Sequence, residues 1–350
     1  MFTSIILYKA ILAVLVFAVS LGIAAYATYG ERKFAAFLQD RVGPDRAGYF
    51  GLLQPLADGV KMFMKEEFIP TAANKWLFIL GPCIAMFVAN MTAVVIPWAR
   101  PAVVNGETFF FQITDINIGI LFTFSLISIG VYGIMIGGWA SNNKYALLGT
   151  LRASSQMISY ELAMGFSLVT LVMMTGTLSL NKIVEQQDLG FCNFIYQPFG
   201  FLIFLICSFA ETNRAPFDLP ETESELVGGY HTEYSSMKLG FYLFAEYINM
   251  FVSSAVMATL YFGGYHFPFE NELMAITGET AVRVLGFAFL MGKIVFFIML
   301  FMWVRWTIPR FRYDQLMHLG WQVLLPLSIL NLVVTGVVMM FPEILKSIGM

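Results

Sequence analysis

The chain has 350 residues, of which 58% are hydrophobic and 12% charged, with a net charge of −3. Globular chains usually carry ~25% charged residues, so there is too little polar surface here to cover a water-soluble two-domain protein. The small net charge, without a clustered basic face, also argues against a nucleic-acid binder.

Eight apolar runs are long enough to cross a bilayer core, which takes roughly 20 residues. They lie at 5–28, 76–97, 117–139, 157–178, 195–211, 239–262, 281–303 and 320–341. Backbone polar groups in lipid must be paired within the segment, so all eight are expected to be helices. The chain 1–350 therefore reads as a single integral membrane domain of the all-α polytopic class. Lys9 and Ala25-Tyr26-Ala27 give the first run some likeness to a secretory signal. Its apolar length exceeds the ~7 to 15 residues of a signal core, so it is read as a retained span.

The first loop, 29–75, holds Glu31-Arg32-Lys33, then Arg46 and then GLLQPLADGVKMFMKEE from Gly51 to Glu67. Leu52, Leu56, Val60 and Phe63 recur at helical spacing while Asp58 and Lys61 fall elsewhere. This pattern predicts an amphipathic helix started by Pro55 and lying at the interface. A basic loop resting on anionic headgroups explains it equally well as the floor of a cavity for an amphipathic ligand.

Glu161, Glu246, Arg283 and Lys293 lie inside or at the edges of spans. Charges there cost ~2.5 to 3.5 kcal/mol on insertion scales and usually face a polar interior or an ion path. The fifth loop, 211–237, carries Glu211, Asp218, Glu221, Glu223, Glu225 and Glu233 against Arg214. A solvated acidic loop is one reading. Phe217, Leu219, Leu226 and Val227 favour a segment packed against the bundle, and a carboxylate relay is expected from Glu161, Glu246 and these acids. In the seventh loop Arg305, Arg310 and Arg312 beside Asp314 read as an ordinary anchor.

The odd-numbered loops carry the cations, from Arg32, Lys33, Arg41 and Arg46 through Lys144 and Arg152 to Arg305, Arg310 and Arg312, and the even ones hold only Arg100 and Lys182. Positive loops stay cytoplasmic, which puts both termini on the opposite side. A cysteine at Asn105 should then label from outside, and one at Ser141 should not. Cys83, Cys192 and Cys207 form no CxxC pair, and His231, His266 and His318 form no HExxH. The chain is therefore expected to hold no metal, and any redox cofactor would sit on partners.

Four long stretches together carry a specific likeness: ERKFAAFLQDRVGPDRAGYFGLLQPLADGVKMFMKE (31–66), GWASNNKYALLGTLRASSQMISYE (138–161), ETNRAPFDLPETESELVGGYHTEY (211–234) with AEYINM (245–250), and RWTIPRFRYDQLMHLGW (305–321). In these the chain closely resembles the quinone-site membrane subunit family of respiratory complex I, called the H subunit in bacteria and ND subunit 1 in mitochondria. The resemblance implies a proton-pumping NADH:quinone oxidoreductase, in which this subunit completes a chamber that admits quinone from the bilayer. FMN and iron–sulfur clusters would belong to hydrophilic partners, and antiporter-like subunits would continue the membrane arm. Carried over by motif, Arg32, Arg46, Asp58, Lys61, Arg214 and Phe217 would line or support the chamber. Glu211, Glu223 and Glu225 would begin a proton path continued by Glu161 and Glu246. Asp45 stands where the family usually has Asn, and Gln322 where it commonly has Lys.

The family's bacterial members sit in the inner membrane, which is the expected location here; a mitochondrial inner membrane fits less well. The homologous subunit of a membrane-bound hydrogenase or formate hydrogenlyase is the nearest rival, but the full GPDRAG to QPLAD stretch favours the quinone enzyme. A stand-alone ion-coupled transporter is the rival of another class, and no repeat between the halves supports it.

Overall fold

The structure, a computed structural model, describes residues 2–104, 107–188, 192–219, 227–268 and 270–348. The helices are α1 (Phe2–Leu38), α2 (Gln54–Met64), α3 (Lys75–Thr92), α4 (Gly119–Ala140), α5 (Lys144–Thr175), α6 (Leu180–Asp188), α7 (Asn193–Tyr196) and α8 (Pro198–Glu211). They continue as α9 (Ser236–Tyr261), α10 (Glu270–Thr277), α11 (Glu279–Thr307), α12 (Tyr313–His318) and α13 (Leu325–Ile348). A two-stranded antiparallel hairpin, β1 (Ala102–Val104) with β2 (Glu107–Phe109), lies between α3 and α4.

Seven of the eight expected spans are long and apolar enough to cross a membrane, and the fifth, 195–211, is α8, a shorter apolar helix. At 14 residues α8 reaches only about 21 Å. Pro198, which lacks an N–H and sits at the first turn, sets its start. Two spans run well beyond their apolar cores. The helix α1 has 37 residues where the sequence predicts a span ending at 28, and α5 begins at Lys144 rather than 157. Hydropathy marks where side chains cease to favour lipid, but helical hydrogen bonding continues wherever polar side chains find partners, as Glu31 and Gln156 do. The last span is likewise extended: α12 passes through a π-helical turn, Leu319–Leu324, into α13.

α9 is the centre of the bundle, packing against α1, α3 and α11, while α5 packs against α4, α8 and α13. α3 and α4 approach closely through glycines. A Cβ on Gly133 would lie 2.9 Å from the Ala85 backbone nitrogen, closer than side chains tolerate. Tyr242 Oη donates to Gly133 O at 3.0 Å, and Tyr234 Oη donates to Phe78 O and Gly137 O at 3.1 and 3.2 Å. These bonds pin α9 and the preceding loop to the α3–α4 pair and satisfy hydroxyls that would be costly to bury alone.

Lys293, at the middle of α11, donates to three carbonyls, Phe262, Gly264 and His266, each at 2.7 Å. It thus caps the C-terminal end of α9 and gives the turn after it the donors that its helix cannot supply. At the same end of the bundle Glu270 binds Arg100 at 2.7 Å and His266 Nδ1 at 2.6 Å, tying the second loop to the segment before α11. Burial alone would raise the Glu270 carboxyl, but the hydrogen bonds and charges of His266 and Arg100 outweigh it and hold the group below its ordinary value.

Candidate functional site

The polar residues gather at the other end of α1, where α2 and the loops after α8 and α11 converge. The first feature is a cavity of about 200 Å³ between α1, α2 and α9. Arg32, Pro55, Asp58, Lys61, Phe244 and Tyr247 are among its walls. Arg32 Nη1 meets Asp58 Oδ2 at 2.7 Å, and Gln54 Nε2 donates to the other Asp58 oxygen at 3.1 Å. Arg32 is exposed and Asp58 about a third exposed, so solvent screens the pair and its contribution to stability is small, ~0 to 1 kcal/mol. Arg32 and Asp58 both line the cavity wall.

The amphipathic helix forms where predicted, with Pro55 in its first turn. Its apolar stripe, Leu56, Val60 and Phe63, faces outward and is exposed, whereas Asp58, Lys61 and Met62 face the cavity. The stripe therefore suits a lipid or partner surface, and the polar side is the one that lines the interior. Ser236 Oγ donates to Met62 O at 3.0 Å, and Lys238 pairs with Glu67 at 2.6 Å, holding the end of α2 against the start of α9. Arg46 stands exposed in the loop before α2, outside the cavity walls and the ion pairs among the described residues.

Behind the cavity is a buried ionic knot. Glu31 accepts from Tyr247 Oη at 2.8 Å and from Arg214 Nη1 at 3.4 Å, and its other oxygen takes Arg305. The Arg214 guanidinium also lies over the Tyr247 ring, 4.0 Å from its centroid, a cation–π contact. Tyr247 therefore touches both the cavity and the knot. Arg310 pairs with the buried Asp218 at 3.1 Å. Arg305 and Arg310 are thus ion partners of Glu31 and Asp218, which corrects the reading of the seventh loop as a plain anchor. The exposed Arg312–Asp314 pair at 3.4 Å still fits that reading.

The start of the fifth loop folds onto the bundle. Asn213 takes a left-handed conformation (φ 50°), which Asn tolerates, and turns the chain as α8 ends. The Gln156 amide donates to Ala210 O at 2.8 Å and to Phe217 O at 2.7 Å, holding both sides of that turn. Phe217 and Leu219 are buried, with Phe217 edge-on to Tyr160 at 5.3 Å. Phe217 therefore supports the site from the core. Val227 is exposed, and Glu221, Glu223, Glu225 and Leu226 lie outside the described residues.

The third feature is an interior cavity of about 50 Å³ among α3, α4, α5, α8 and α9, with Glu211, Asn213, Tyr230, Tyr242, Glu246 and Asn249 among its walls. A water needs roughly 10 to 15 Å³ of such space, so a few waters fit. Tyr230 Oη donates to Glu246 Oε1 at 3.0 Å. Glu161 accepts from Ser128 on α4, and it is close enough to Glu211 for their charges to interact. Glu161, Glu211 and Glu246, distant in sequence, are thereby brought to one region. Among the described residues, no group of three or more His, Cys, Asp or Glu could hold a metal ion.

Glu31, Tyr247, Arg305 and Tyr230 belong to the site although the expectations from sequence do not include them. Glu31 carried a signal, being a carboxylate within helical continuation of an apolar span; the two tyrosines carried none apart from their neighbours.

The family model described as NADH dehydrogenase matches residues 10–336. The first of the NADH-quinone oxidoreductase H subunits of Cytophaga hutchinsonii is 63% identical over 331 residues, covering 95% of this chain and 96% of its own. The corresponding H subunit of Flavobacterium johnsoniae is 59% identical, with 98% of each chain covered. NADH-quinone oxidoreductase subunit 8 of Rhodothermus marinus is 48% identical over 334 residues, covering 93% of this chain and 95% of its own.

Proposed function

This chain belongs to the H subunit family of NADH-quinone oxidoreductase, and from that membership we propose how its polar features divide the work of the enzyme. It is a membrane subunit of complex I. The cavity under α2 admits quinone from the bilayer, and the Glu31 knot holds the chamber loops in register. The Glu161, Glu211 and Glu246 region begins the proton path. The observation that carries this division is Tyr247, whose ring borders the α2 cavity while its hydroxyl holds Glu31. A change of charge in the chamber is felt at once by the buried acid and its two arginines.

Quinone suits the cavity because its walls combine apolar surface from Phe244, Leu243 and Pro55 with a cationic rim from Arg32 and Lys61. Such a rim can hold a carbonyl or a developing oxyanion. FMN and iron–sulfur clusters sit on hydrophilic partner subunits, which deliver electrons to the quinone. Gly59 tests the cavity. A Cβ there meets nothing within 4 Å, and the residue lines the space. Gly59→Leu should therefore keep α2 intact while filling the chamber. Quinone KM is expected to rise about tenfold, equivalent to ~1.4 kcal/mol, with NADH oxidation by a water-soluble acceptor unchanged. Unchanged quinone kinetics would remove the cavity from the quinone route.

The protein is placed in the bacterial inner membrane with both termini on the outer side, as the cation distribution in the loops favours. Asn105 lies outside the described residues and Ser141 is buried, so exposed neighbours make better probes. In whole cells carrying the assembled enzyme, a cysteine at Thr114 should react with an impermeant maleimide, and one at Asn142 should react only after permeabilisation. The reverse pattern would invert the orientation.

A further inference from the structure

At the end of the bundle opposite α2, the N-terminal halves of α1 and α11 enclose an apolar groove of about 400 Å³. This is within the ~300 to 1,000 Å³ range of small-molecule sites. Its walls include Leu12, Leu15 and Val16 of α1, Phe287 and Met291 of α11, and Trp98. One cation lies among them. Arg283 contributes to the lining, and its side chain is only 15% exposed. Its Nη2 pairs with Glu279, one turn earlier on the same helix, but the Nε atom is buried and has no hydrogen-bond acceptor among the described residues. A buried guanidinium N–H without an acceptor is costly, and a carboxylate as exposed as Glu279 screens it weakly.

We propose that this groove is a binding site for one anionic phospholipid of the leaflet facing away from α2, its acyl chain between α1 and α11 and its phosphate on Arg283. The chemistry on each side fits the occupant. The groove wall is hydrocarbon, matching an acyl chain. The guanidinium offers planar, charged donors suited to phosphate oxygens. Arg283 stands on the second turn of α11, close to where a headgroup meets the hydrocarbon region. A neutral quinone head would leave the cation unmatched, and an apolar helix from elsewhere in the complex would leave the buried Nε without an acceptor.

The test uses the whole purified enzyme in vesicles containing a phosphatidylglycerol probe with a photoreactive group on its acyl chain. Peptides covering 8–19 and 283–291 should be labelled. Labelling should fall about tenfold in Arg283→Gln, equivalent to ~1.4 kcal/mol, and recover in Arg283→Lys. Leu15→Trp, which fills the groove from an exposed position and should not disturb folding, should lower labelling in the same peptides. Three results would each overturn the proposal: labelling independent of Arg283 and Leu15, equal labelling by a matched phosphatidylcholine probe, or protein cross-links showing another polypeptide of the complex seated in the groove.

Discussion

Glu31→Ala should abolish most quinone reductase activity, and it should lower the amount of assembled enzyme as well. Glu31 is the shared partner of Arg214 and Arg305 and accepts the Tyr247 hydroxyl. Its side chain and that of Arg214 are both almost fully buried, at 7% and 6% exposure, so the two guanidiniums would lose their common carboxylate in a poorly solvated place. Breaking a buried ion pair by removing one member costs ~3 to 5 kcal/mol, against ~5 to 15 kcal/mol for the stability of a typical domain. Glu31→Gln separates the two roles. It keeps an oxygen for the Tyr247 hydroxyl and much of the shape, so assembly should recover more than activity, which needs the charge. The check is the level of assembled enzyme on a native gel together with NADH:quinone rate. Normal assembly and rate in Glu31→Ala would show that the knot is dispensable.

By comparison Arg32→Ala should be mild in assembly, because Arg32 is exposed, Asp58 only partly buried, and solvent screens the pair. Any effect it has should appear in quinone KM.

The membrane-spanning architecture was legible in the sequence because lipid imposes a length and a polarity that composition cannot hide. The ends of α1 and α5 were not, since apolar length stops at the hydrocarbon edge while helical hydrogen bonding does not. The amphipathic helix was legible from spacing, but which face meets the protein was not. Periodicity separates Leu56, Val60 and Phe63 from Asp58 and Lys61, yet says nothing about whether the surroundings of the helix are lipid or cavity. The ionic knot was hidden for a different reason. Glu31, Arg214, Tyr247 and Arg305 come from four segments, and 274 residues separate the ends of the Glu31–Arg305 pair. Motif likeness pointed to Arg214 on its own, and only the fold supplies its partner. Lys293 was visible as an intramembrane charge, and its role as a cap on three carbonyls depends on the turn after α9.

The carboxylate region sets the second large expectation. Glu246 is buried, accepts from Tyr230 and borders the same small cavity as Glu211, and Glu161 lies near Glu211 on the α5 side. Moving a proton against 100 mV requires ~2.3 kcal/mol, which a change of about two pKa units in a carboxyl supplies at 1.36 kcal/mol per unit. A buried acid whose surroundings respond to quinone charge has that range. Glutamine keeps the Tyr230 and Ser128 hydrogen bonds in place but cannot take up or release a proton. Glu161→Gln and Glu246→Gln should therefore assemble normally and lose proton pumping, with electron transfer to quinone falling too where the two are tightly coupled.

The most direct measurement is proton uptake into vesicles containing the purified enzyme, recorded alongside NADH:quinone rate, for wild type and the Glu161→Gln, Glu246→Gln double variant. If these carboxylates carry the proton path, the double variant assembles and its uptake is abolished, or uptake and rate fall together; wild-type uptake at an unchanged rate would leave them as structural hydrogen-bond acceptors.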